Sequence, residues 1–235
     1  MTVIDAQILV LAKEPVPGSV KTRLTPPYSA EEAAELARAA LEDTLEAVAR
    51  TPVRRRVLVL SGAPGPWLPA GFDVVGQRGG ELDERIAGAF ADARAGADLP
   101  ALLIGMDTPQ VTPGLLGGAA GALSGSPAVL GLAHDGGFWA LGMRDPDPEL
   151  VRGVPMSSPL TGEFQLARLR AAGLDVRLLD RLNDVDDAWD ASDIAVQAPG
   201  SRFARTLAAL EGGSAQSEPA PTVPAPAAIH GGQRR

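Results

Sequence analysis

Short apolar runs alternate with helix-patterned stretches along most of this chain, and that alternation constrains its fold more than any other feature. Strand candidates are QILVLA (7–12), RRVLVLS (55–61), FDVVGQ (72–77), ALLIGMD (101–107), AVLGLA (128–133), FWALGM (138–143) and VRLLD (176–180). Several are apolar at nearly every position, as strands must be when both faces of their sheet are covered. Between them lie helical patterns. The clearest follows Ser29, where Glu32 stands three residues on and forms a capping box. Leu36, Ala37, Ala40, Leu41, Leu45 and Val48 then recur on one stripe. Further helices are expected at 82–95, 113–123, 162–172, 187–198 and 201–210. The pattern predicts a single α/β domain over residues 1–211, with a mostly parallel sheet flanked by helices. In such sheets ligands sit beyond the carboxyl ends of the strands. The loops after strands are therefore where chemistry is expected.

Residues 212–235 are rich in Pro, Ala, Gly and Ser and nearly empty of large apolar side chains. They cannot bury enough surface to offset ordering entropy and are expected to form a disordered tail. The tail carries one acid and two bases, so the net charge of −8 leaves −9 on the body before it. That field disfavours a nucleic-acid surface, and a bound polyphosphate would need local cations or a metal. With no Cys, thiolate metal sites and Cys nucleophiles are excluded. No basic segment precedes an apolar one at the N-terminus, and no run approaches the length of a membrane span. The expectation is a soluble cytoplasmic protein.

The loop after the first strand reads KEPVPGSVKTRL (13–24). Its Gly and Lys-Thr suggest a P-loop, but Val20 occupies the place of the second glycine. Pro15 and Pro17 remove two backbone donors as well. Phosphates would have to be met here by side chains, Lys13, Lys21 and Arg23, or the loop is a solvated basic surface. Asp107 stands just past a buried strand, ahead of a Thr112-Pro113 helix start. Such a carboxylate can hold Mg²⁺ or can close a turn onto backbone N–H groups. Asp184 and Asp186 flank Val185, so in extended backbone they point the same way. They could complete a metal site with Asp107, while Asp186 or Asp187 is also a natural N-cap for the next helix.

Asp135-Gly136-Gly137 lies between two apolar runs and carries the two-residue hairpin signal. Its glycines would equally let a ligand approach the backbone. Arg78, beside Gly79-Gly80, could reach a phosphate or base; Arg85 is expected to pair with Glu81 or Glu84. With two His and no Cys, neither a Ser-His-Asp triad nor a His-rich zinc site is evident.

The ordered set LAKEPVPGSVKTRL, GQRGGELDERIAGAF, IGMDTPQVTP, HDGGFWALGM, VPMSSP and NDVDDAWDASDI resembles a family. It is similar to the bacterial glycosyltransferase-A-superfamily proteins known as selenodomain-associated transferase 1, over about residues 6 to 195. A more distant similarity is to 2-phospho-L-lactate guanylyltransferase. The resemblance implies a nucleotide-diphospho-sugar transferase fold, with a nucleotide over the carboxyl edge of the sheet. It implies Asp107, Asp184 and Asp186 as ligands of Mg²⁺ or Mn²⁺. Lys13, Gly18, Lys21, Arg23 and Arg78 would contact the nucleotide, with Asp107, Lys21 and Arg23 catalytic. Asp135, Gly136, Gly137 and Ser157 would face the acceptor. Gly136-Gly137-Phe138-Trp139 stands where the guanylyltransferase has G-G-T-N, which removes polar groups that phospholactate would need.

The expected function is therefore metal-dependent transfer from a nucleoside triphosphate or nucleotide sugar, favoured as nucleotidyl transfer to a small phosphorylated or hydroxyl acceptor. Glycosyl transfer from a nucleotide-diphosphate sugar is the alternative. A non-catalytic nucleotide-binding protein of the same fold is the second.

Overall fold

The computed structural model describes residues 2–214. The apolar runs become seven strands of one sheet: β1 Ile4–Lys13, β2 Val53–Ser61, β3 Asp73–Gly76, β4 Ala101–Gly105, β5 Ala128–Ala133, β6 Phe138–Met143 and β7 Val176–Leu182. Their order across the sheet is β3-β2-β1-β4-β6-β5-β7. β6 runs antiparallel to both β4 and β5, and the other pairings are parallel. The expected mostly parallel α/β sheet is what forms, with one reversed strand inserted. Hydrogen bonding explains the insertion: the β5–β6 hairpin folds back so that β6 fills the gap beside β4, pairing Ile104 with Ala140 and Ala101 with Met143.

The described residues form six helices, α1 Ala30–Arg50, α2 Leu82–Gly96, α3 Pro113–Ala122, α4 Thr161–Ala171, α5 Ala188–Gln197 and α6 Arg202–Ser214, of which the first four pack on the sheet. Side chains alternate across β1. Ile8, Val10 and Ala12 join Leu41, Leu45 and Val48 of α1 and Leu116 of α3 on one face. Leu9 joins Ile86 and Phe90 of α2 and Leu169 of α4 on the other. Both faces are thereby buried, which is why these strands carry so few polar residues.

The capping box forms as expected: Ser29 Oγ accepts from Glu32 N at 3.2 Å, and Glu32 Oε2 accepts from Ser29 N at 2.7 Å. The α1 stripe is buried throughout. It is wider than one sheet contact requires because α6 docks on a second face of α1. There Leu36, Ala39 and Ala40 meet Phe203 and Leu207. Burying two such side chains contributes roughly 2–3 kcal/mol each. Asp43 of α1 fixes the start of α6, accepting from Arg202 N at 3.0 Å and Phe203 N at 2.9 Å. The tail expected from residue 212 starts instead on helix, since α6 continues through Ser214. Residues 215–235 lie outside the described residues. Among the described residues no helix is long and apolar enough to cross a membrane.

The chain runs outward from β1 to β2 and β3, then returns through α2 to β4 on β1's other side. The carboxyl ends of β1 and β4 thus straddle the point where strand order reverses, the usual ligand crevice of such sheets.

Candidate active site

A cleft of about 700 Å³ opens at that crevice. It is lined by Lys13 at the end of β1, by Ser19 to Arg23 of the following loop, and by Asp107 beyond β4. Asp135, Gly137, Asp184, Asp186 and Ser157 line it as well.

Local folding brings the acids together. Asp107's carbonyl accepts from Val185 N at 3.0 Å, which pins the segment after β7 beside the end of β4. Val185 is fully buried, so the alternating Asp184 and Asp186 turn toward the cleft as their spacing predicts. The N-cap duty falls on Asp187, whose Oδ1 accepts from Trp189 N at 2.8 Å and Asp190 N at 3.0 Å. The Asp186 side chain is thus free of N-cap duty and lines the cleft.

Carboxylate oxygens of Asp135, Asp184 and Asp186 lie within 4.8 Å of one another. This differs from the expected trio. Asp107 is engaged by the Lys21 ammonium at 2.6 Å, and Asp135 takes the third place in the cluster. Asp135 also accepts from Gly137 N at 2.8 Å, a short turn that aims its carboxylate at the other two. Burial pushes the Asp184 carboxyl up to about 7, and the neighbouring Asp107, Asp135 and Asp186 charges add to this while Lys21 opposes it. The negative charge is thus incompletely balanced by the protein. Hard oxygen ligands, convergence and uncompensated charge together fit Mg²⁺ or Mn²⁺.

The basic loop takes its place opposite. Burial alone would lower the Lys21 pKa, but Asp107, then Asp186 and Asp184, outweigh this and hold it raised. Lys21 lies 3.9 Å from Asp186, and Arg23 is paired to Asp186 at 2.7 Å. Lys13 has no ion-pair partner among the described residues. Lys21 (φ 48°) and Ser157 (φ 54°) are the non-glycine residues with positive φ in the described chain, and both line the cleft. Such backbone costs on the order of 1–3 kcal/mol and gathers at functional positions.

Several residues expected at the site are not among those that line the cleft. Arg78 does not line the cleft; it turns back along α2 to a bidentate pair with Asp92, one Nε bond being 3.3 Å. Gly18 (φ 75°) lies in the Val16–Ser19 turn and is not among the residues lining the cleft. Gly136 is a packing residue. Its carbonyl accepts from Gly162 N at 2.8 Å, and a Cβ there would collide with the Pro159 carbonyl. The hairpin connection is four residues, 134–137, rather than two. This extra length lets it reach the 155–162 segment.

Arg85 does not pair with Glu81 or Glu84, because Glu84 accepts from the Glu81 backbone N–H at 3.2 Å. It lines the cleft instead, as does Gln77. Gln77 Nε2 donates to the Ala12 and Val59 carbonyls at 2.6 and 3.1 Å. Its Oε1 and Arg85 Nε are buried without a partner. Neither residue stands out in sequence, where the glycines beside Arg78 are the louder signal.

Comparisons with known proteins agree with this architecture. A crystal structure from Desulfovibrio desulfuricans G20, of a protein provisionally named a nucleotide-diphospho-sugar transferase, is 28% identical with a TM-score of 0.79. The match covers 90% of this chain and 96% of that one. CMP:2-keto-3-deoxy-manno-octonic acid synthetase in complex with CTP matches at 12% identity and TM-score 0.54, covering 83% and 99% of the two chains. A nucleotidyl transferase from Methanothermobacter thermautotrophicus matches at 18% identity and TM-score 0.53, covering 86% and 98%. The fold is that of the nucleotide-diphospho-sugar transferases. No curated protein sequence matches the chain. The family described as "uncharacterized protein conserved in bacteria" (DUF2064) has a model that matches residues 35–158, a span holding Arg85, Asp107 and Asp135, and the chain belongs to that family.

Proposed function

We propose that this protein is a metal-dependent nucleotidyltransferase that moves a nucleotidyl group from a nucleoside triphosphate to a small acceptor. The observation that carries the reading is the convergence of Asp135, Asp184 and Asp186 on the cleft that Lys13 and Lys21 also line. Asp135, Asp184 and Asp186 would hold Mg²⁺ or Mn²⁺. When bound, the ion would neutralise phosphate charge that builds during transfer.

The chain's own residues do the rest. Lys13, free of carboxylates, meets the phosphates at the end of β1. Lys21 is poised between Asp107 and the nucleotide and stabilises the leaving pyrophosphate. Arg23 keeps Asp186 oriented through its 2.7 Å pair. An acceptor oxygen attacks the α-phosphorus in line, the bond to the bridging oxygen breaks, and pyrophosphate leaves. Positioning and electrostatics suffice for this chemistry, so no protein nucleophile is required.

A nucleotide sugar in the same cleft is the second reading, favoured by the name of the Desulfovibrio relative. Incubation with labelled substrates separates the two. Pyrophosphate released from a triphosphate supports nucleotidyl transfer, and nucleoside diphosphate released from a nucleotide sugar supports glycosyl transfer. Neither product across broad donor and acceptor panels with Mg²⁺ and Mn²⁺ would overturn both.

A further inference from the structure

Arg85 is a cation without an anion. Its guanidinium makes no ion pair or hydrogen bond among the described residues, and its Nε is buried. An arginine stays charged at any ordinary pH, and a buried donor left unpaired is costly. Nearby acids do not relieve it, because each serves the backbone. Glu84 accepts from Glu81 N, and Asp83 Oδ2 accepts from Gly153 N at 2.7 Å. Other arginines among the described residues also lack a carboxylate partner, but Arg85 is the one with a guanidinium nitrogen buried and unpartnered, and it lines the cleft, so it calls for a ligand.

Its surroundings describe that ligand. Leu82, Arg85 and Ile86 share one face of α2, and all three line the cleft with Phe138, Met156 and Ser157. The Asp83–Gly153 bond ties the first turn of α2 to the chain leading into Met156 and Ser157. Lys13 and Lys21, at the other strand end, already answer the charge of a nucleotide's phosphates. Arg85 is therefore a surplus cation among apolar side chains and a free hydroxyl.

We propose that Arg85 binds an oxyanion of the acceptor, so that the acceptor is a small molecule bearing a carboxylate or phosphate and an apolar portion. Leu82, Ile86, Phe138 and Met156 take the apolar portion. This inference rests on the transferase reading of the cleft, but it is tested without turnover.

The experiment follows the arginine Nε–H signals of ¹⁵N-labelled full-length protein by NMR, with Arg85→Lys identifying the Arg85 signal. Inorganic phosphate and acetate are titrated separately, each with and without saturating magnesium pyrophosphate. The expected result is a saturable shift of the Arg85 signal by one of the two ions, persisting when magnesium pyrophosphate is bound. Affinity for that ion falls about tenfold or more in Arg85→Gln. The ion that binds tells carboxylate from phosphate. No shift with either ion overturns the proposal. A shift abolished by magnesium pyrophosphate also overturns it, since Arg85 would then serve the nucleotide. Absence of transferase turnover with a retained oxyanion shift would instead count against the reaction alone.

Discussion

The Lys21 ammonium and the Asp107 carboxylate, 86 residues apart in sequence, meet at 2.6 Å at the mouth of the crevice between β1 and β4. Lys21's side chain is 11% exposed, against 73% for Arg23, so this cation is committed to the acidic cluster rather than to water. It stands beside the carboxylates that would otherwise meet a divalent ion, and like charges there repel.

Replacing Lys21 by Met should therefore act in opposite directions on two observables. Mn²⁺ binding to the nucleotide-free protein, measured by calorimetry, should tighten because a competing cation is gone. Turnover should fall by about 10²–10³, the usual cost of removing one group that stabilises developing charge. Weaker Mn²⁺ binding in the variant would show that Lys21 organises the cluster rather than competing for it.

Asp184 makes the metal-free protein sensitive to pH. Its folded carboxyl keeps its proton up to about 7, whereas an unfolded Asp releases it near 3.8. Between those values the folded chain binds more protons, so stability falls as pH rises through this window and levels off above it. Urea unfolding in EDTA from pH 4 to 8 should show that decline, and Asp184→Asn should flatten it. Metal affinity should run the other way, rising with pH up to about 7 as the proton is displaced.

Gly136→Ala tests the joint between the hairpin and the 155–162 segment. The substitution puts a Cβ at φ 92° and drives it into the Pro159 carbonyl. A loss of about 1–3 kcal/mol in urea unfolding is expected, with transfer activity falling alongside it. A variant as stable as wild type would mean that the segment moves away from the hairpin without penalty.

Asp43→Ala separates stability from chemistry. Asp43 satisfies two backbone donors at the start of α6 and does not line the cleft. Its removal should cost about 1–2 kcal/mol and leave KM and kcat of the folded enzyme unchanged.

The sheet and helices were legible because periodicity is local. The run 128–133 and the run 138–143 match β5 and β6 residue for residue. Strand order was less so, since nothing within FWALGM says that it pairs with β4 across Ile104 and Ala140. The site divides the same way. Alternation around Val185 correctly turned Asp184 and Asp186 together, because that geometry spans three residues. The partner of Asp107 did not follow from its neighbours, because Lys21 reaches it only through the β1–β4 pairing. Arg78 pairs with an acid and Arg85 lines the cleft, the reverse of the expectation, for a similar reason. Asp92, fourteen residues on, captures Arg78, while local backbone donors occupy the acids beside Arg85.

We propose that Asp135, Asp184 and Asp186 hold the catalytic ion. Anomalous diffraction from crystals soaked with Mn²⁺ and a non-hydrolysable nucleoside triphosphate analogue tests it most directly. One strong Mn²⁺ peak bonded to oxygens of those three carboxylates is expected, with the analogue's phosphates beside Lys13 and Lys21. An Mn²⁺ peak away from Asp135 and Asp184, or an analogue bound with no Mn²⁺ at the cluster, would contradict it.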